Sequence, residues 1–233
     1  MSLLSLAPPS QAADLACAAG DVACLIDAIN QANANGEANT ITLEAGTYAL
    51  TAVDNNTNGP NGLPSVTSTL TIRGAGAETT IIERAAAATA NLRLFQVAAT
   101  GTLTLQQLTI RRGVVFGATG AGGGIRNSGH LTLIESIVVG NRGDEGGGIS
   151  NSGTLRITQS AIIENASSFS PGGLGNQRGT VTIIQSTIAR NNAGRGAGGG
   201  ILNIEGQLLI LSSAIVDNSI TDGAGGGFSI KVA

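Results

Sequence analysis

From Gly122 onward one phrase returns every 24 to 27 residues, and no single copy is large enough to close a core of its own. The copies are GGGIRNSGHLTLIESIVVGN (122–141), GGGISNSGTLRITQSAIIEN (146–165), GGLGNQRGTVTIIQSTIARN (172–191) and GGGILNIEGQLLILSSAIVDN (198–218), and a fifth opens as GGGFSI (225–230). Each holds short alternating apolar stretches punctuated by Gly and Asn. Its apolar face can be buried only by the copies before and after it, which is the condition that makes a solenoid. The expected architecture is therefore all-β, a stack of coils growing along one axis.

Aligning the copies gives rows of like residues. Ile125, Ile149, Leu174, Ile201 and Phe228 form one, and Leu131, Leu155, Val181 and Leu208 the next. Leu133, Ile157, Ile183 and Ile210 form a third, and Val138, Ile162, Ile188 and Ile215 a fourth. Strand alternation turns these rows inward. Two polar rows accompany them: Asn127, Asn151, Asn176, Asn203, and Asn141, Asn165, Asn191, Asn218. Asn tolerates a left-handed bend and can hydrogen-bond its copy in the next coil, so both rows are expected at structural corners.

Composition suits a narrow aliphatic core. Apolar residues make up 42% of the chain but aromatics only 2%, and 35 of its 233 residues are Gly. A net charge of −3 excludes the basic footprint of a nucleic-acid binder and a polybasic membrane patch. No segment approaches the roughly 18 apolar residues of a membrane span. Neither a metal nor a cofactor is expected: His130 is the only histidine, and Cys17 and Cys24 lack the second ligand pair of a zinc site. Those cysteines read as a short-loop disulfide, which would imply an oxidising compartment, or as two buried thiols.

Along the chain, residues 1–16 read as a poorly ordered lead. In 17–38, Val22, Leu25, Ile26, Ile29 and Ala32 fall at helical spacing between a capping Asp21 and a stop at Asn35-Gly36. Such a helix would cover the open end of the first coil. The solenoid is expected over 39–233, interrupted by a polar loop at 54–68. Leu103, Leu105 and Ile110 match Leu131, Leu133 and Val138, which carries the repeat back into the earlier coils. The chain stops inside a coil, so a longer parent protein, or self-association through the open C-terminal coil, is expected.

The phrase GGGI-x-N, followed by an L-x-L strand and S-x-I-x-x-N, resembles the repeat of bacterial right-handed parallel β-helix surface proteins. These have the pectate-lyase-like fold and are akin to polymorphic outer-membrane protein repeats. CLIDAINQANAN (24–35) is similar to the C-S-L-R-E-A-I…A-N motif that opens many such chains, keeping its Cys and Ala without the Ser-Leu-Arg-Glu wording. TLTIRGAGAETTIIER (69–84) and NGLPSVTSTLTI (61–72) look like the usual early coils. The resemblance spans about residues 17–230. It implies a right-handed coil and a secreted or surface protein, and carries no assigned reaction.

Many parallel β-helices cut or bind acidic polysaccharides. A lyase needs a strong base and carboxylates holding Ca²⁺, and a hydrolase a close carboxylate pair. Asp144-Glu145, in the link NRGDEGGG (141–148), is the only adjacent acid pair and reads as solvated loop. Among the exposed basic candidates Arg111, Arg112, Arg126, Arg142 and Arg156, the trio Arg126, His130 and Arg156 could form an anionic-glycan patch on adjacent coils. Outward strand positions Thr71, Thr104, Thr132, Arg156, Thr182 and Leu209 form a threonine row of the kind that can order water. Arg156 and Leu209 break it, no Thr-x-Thr doublet is expected to persist across coils, and β-propensity accounts for the threonines. The reading is a non-catalytic extracellular or cell-surface scaffold of adhesin type, with any polysaccharide or surface ligand held in loops 54–68, 113–121 and 166–172. The alternative is a polysaccharide lyase.

Overall fold

Strands in this chain pair in parallel, each with its equivalent in the next coil, so the sequence repeat is also the hydrogen-bond register. The computed structural model describes residues 12–224, 226 and 228–231 and is a right-handed parallel β-solenoid. Its longest sheet has eight strands, in order Asp14–Cys17, Asn39–Leu43, Thr69–Arg73, Thr102–Gln106, His130–Ile134, Thr154–Thr158, Thr180–Ile184 and Gln207–Leu211. Each coil then passes into a seven-stranded sheet (for example Ile137–Val139 and Ala161–Ile163) and on to a six-stranded sheet (Ile125–Asn127, Ile149–Asn151). A four-stranded sheet lies in the link between those two: Arg142–Gly143, Ala166–Ser167, Asn192–Ala197 and Ser219–Ala224.

The inward rows stack as their spacing requires. Leu131 pairs with Leu103 and Leu155, Val138 with Ile110 and Ile162, and Ile149 with Ile125 and Leu174. All are at most 1% exposed. Full burial of one such side chain is worth about 1.5–3 kcal/mol, which is why a core one side chain wide suffices.

Both asparagine rows run as hydrogen-bonded ladders. Asn127 Nδ2 donates to Asn151 Oδ1 at 2.6 Å, Asn151 to Asn176 at 2.8 Å and Asn176 to Asn203 at 2.6 Å. Asn141, Asn165 and Asn191 each donate from Nδ2 and from the backbone N–H to the Oδ1 of the next, ending on Asn218, at 2.9–3.0 Å. The left-handed bend is not theirs, however. In the second row it falls one residue earlier, on Gly140, Glu164, Arg190 and Asp217 (φ 53–64°), leaving Asn free to turn its amide into the stack. A third ladder, absent from the sequence reading, links Ser136, Ser160, Ser186 and Ser213 by N–H···Oγ bonds of 3.1 Å.

At the N-terminal end the expected helix is present over Val22–Asn35. Asp21 accepts from the Cys24 N–H at 2.9 Å, and Gly36 closes the helix in the left-handed conformation. Leu25, Ala28, Ile29 and Ala32 are buried in the same core as the first coils, so the helix caps the stack. The first strand begins earlier than expected. Asp14–Cys17 is not part of a loose lead but the first strand of the long sheet, held to Thr40–Leu43 by main-chain bonds that leave no side-chain pattern. Residues 1–11 lie outside the described residues. A Cys17–Cys24 disulfide joins that strand to the helix. Beside it the buried Tyr48 hydroxyl lies 3.0–3.2 Å from the carbonyls of Cys17, Ala18 and Glu44, and burial, aided by Glu44, raises its pKa. Among the described residues no helix is long and apolar enough to cross a membrane.

Candidate functional site

The Asn141–Asn218 ladder, buried at all but its last member, ends the seven-stranded sheet, and from it each coil sends out a Gly-rich loop. Because the ladder fixes where every loop departs, loops that are distant in sequence meet along one edge. Loop 114–121 lies against Asp144, whose Oδ2 accepts from the Gly117 N–H at 2.6 Å. A Cβ on Gly120 would come within 2.6 Å of that same oxygen, so the approach requires glycine. The Phe169 N–H donates to the Asp144 carbonyl at 3.1 Å, and the Arg195 N–H to the Phe169 carbonyl at 3.1 Å. Four successive coils are thereby laced together.

Three recesses open on this edge. Gly117, Gly120, Asp144, Glu145 and Phe169 line a cleft of about 440 Å³. Phe116, Arg142, Gly143, Ser167 and Ser168 line a second of about 190 Å³. The third, about 150 Å³, lies between the Ser170-Pro171 segment and the outer face of the six-stranded sheet, where Ser150, Gly175 and Leu202 follow one another. Glu145 borders both the first and the third. The hydroxyls of Ser167 and Thr158 are buried without a hydrogen-bond partner among the described residues.

The aromatic side chains divide cleanly. Of the four whose burial is described, Tyr48 and Phe95 are fully buried, whereas Phe116 and Phe169 are 45% and 53% exposed. Both exposed rings lie on this edge. Rings held against solvent beside carboxylates and a guanidinium can stack on an apolar face while hydrogen-bonding groups around it.

Of the basic residues singled out from the sequence, Arg142 lies on this edge, and the others lie elsewhere on three different sheets or their ends. His130 and Arg156 project from the outer face of the eight-stranded sheet on neighbouring coils. Arg126 stands on the six-stranded sheet and donates to the Asn58 carbonyl at 3.3 Å. Arg111 and Arg112 pair with Glu83 at 2.5 and 3.5 Å. Arg93, not among those candidates, is fully buried without a carboxylate partner among the described residues. It donates to Asn61 Oδ1 (2.7 Å) and to the carbonyls of Thr119 (3.0 Å), Ala121 (2.9 Å) and Gly122 (3.0 Å), tying the 54–62 and 119–122 loops together. Burial, with Arg126 nearby, lowers its pKa to about 10, so it remains charged at neutral pH. Among the described residues no three His, Cys, Asp or Glu side chains gather as a metal site.

The fold defines the class: a right-handed parallel β-solenoid with an N-terminal helical cap. No protein-family model, curated protein or solved structure matches the chain.

Proposed function

We propose that this protein is an exported or cell-surface β-helical scaffold that binds glycan chains along its loop edge and does not cleave them. The observation that carries this reading is the pair Phe116 and Phe169, exposed on one edge of a chain otherwise almost free of aromatics. Burying such a ring against a ligand recovers about 1.5–3 kcal/mol that solvent exposure forfeits. Asp144 and Glu145 between the recesses favour neutral sugars, whose hydroxyls donate to carboxylates, over polyuronates, whose charge they repel. The Cys17–Cys24 bridge supports an oxidising compartment.

Equilibrium binding to a panel of neutral and acidic polysaccharides, with absorbance read for unsaturated uronates, tests the proposal. The wild type should bind a neutral glycan without forming product, and Phe116→Ala/Phe169→Ala should lose binding at unchanged thermal stability. Binding untouched by the double substitution would refute the site. Uronate absorbance would establish the lyase alternative instead.

A further inference from the structure

The outer face of the eight-stranded sheet carries a second ordered surface, independent of the loop edge. Register stacks Thr40 on Thr71, Thr71 on Thr104 and Thr104 on Thr132, with Thr69 on Thr102 beside them. Along the whole stack no Thr-x-Thr doublet persists, as expected, but one does span two adjacent coils. Thr69-Leu-Thr71 and Thr102-Leu-Thr104 lie in register on adjacent coils, and Thr180-Val-Thr182 recurs beyond an interruption at His130 and Arg156.

Sheet geometry makes this block a grid, with about 4.7–4.9 Å between strands and about 6.6 Å between alternate residues of one strand. The intervening Leu70 and Leu103 are buried to 1% or less, which fixes the backbone, and β-branching restricts χ1. None of these hydroxyls is bonded to another described residue. Coil-on-coil stacking keeps such a sheet flat. Each threonine therefore presents one fixed hydroxyl and one fixed methyl, at little further cost in side-chain entropy.

A grid periodic in two directions is matched by a ligand periodic in two directions, which a single polymer chain is not. The block itself bears no charge, unlike a surface suited to a mineral. Arg73 and Gln106 border it and face each other at 3.4 Å. We propose that this face binds ice: the hydroxyls continue the hydrogen-bonded order of a crystal plane, and the methyls exclude disordered water between its rows. His130 and Arg156 project into the grid and shorten the block.

The test is partition of the purified protein into slowly growing ice, together with inhibition of ice recrystallisation. Wild type should enter the ice, Thr104→Lys should fall to the level of a non-binding control protein, and His130→Thr/Arg156→Thr, which extends the grid, should exceed wild type. Phe116→Ala/Phe169→Ala should partition like wild type, separating this surface from the loop edge. Exclusion of the wild type from ice would overturn the proposal. So would a folded Thr104→Lys that partitions normally, or a folded repaired variant no better than the parent.

Discussion

Asn165 shows how a single residue can carry two structural duties at once. Its Oδ1 accepts both the backbone and the side-chain N–H of Asn141, while its Nδ2 donates to Asn191 Oδ1 and the Val138 carbonyl. Removing the amide strands a buried N–H on one side and a buried carbonyl on the other. Asn165→Ala should therefore cost about 2–3 kcal/mol or more, read as a shift of the denaturation midpoint, since each unsatisfied buried group costs about 1–3 kcal/mol. A loss below about 0.5 kcal/mol, the range of an exposed surface change, would mean the ladder is ornamental. The asparagine rows were legible because they recur with the repeat. Their backbone conformation was not. The left-handed position is occupied by Gly, Glu, Arg and Asp in successive coils, a set with no shared chemistry for sequence reasoning to find.

At the scale of elements, the cap was readable and the strand beneath it was not. Helical spacing and two terminal signals marked Val22–Asn35, whereas Asp14–Cys17 is four residues held by main-chain bonds. The disulfide fastens one to the other across a separation of seven residues. A loop this short restricts the unfolded chain only modestly, so Cys17→Ser/Cys24→Ser should destabilise by about 2 kcal/mol. Amide exchange should then accelerate first in Asp14–Cys17 and the helix, with the coils beyond residue 100 unaffected, because a solenoid transmits stability only between neighbours. Uniform acceleration along the whole chain would show that the cap governs the entire stack.

Across the whole molecule, a one-dimensional core leaves every outer surface free to differ. The inward rows were visible as a period of similar residues, and the structure keeps them in the expected register. The candidate site was not visible, because Phe116, Asp144 and Phe169 belong to three different loops and share one edge only through coil stacking. One clue was present: two of five aromatics lie in Gly- and Ser-rich loops, where no core requires them. The basic trio drew attention by charge alone, and its members occupy two separate sheets. Hydrogen exchange of the protein with and without a bound neutral glycan tests the central claim most directly. The account expects new protection confined to residues 114–121, 142–145 and 166–172. Protection centred on His130 and Arg156, with the loop edge unchanged, would contradict it.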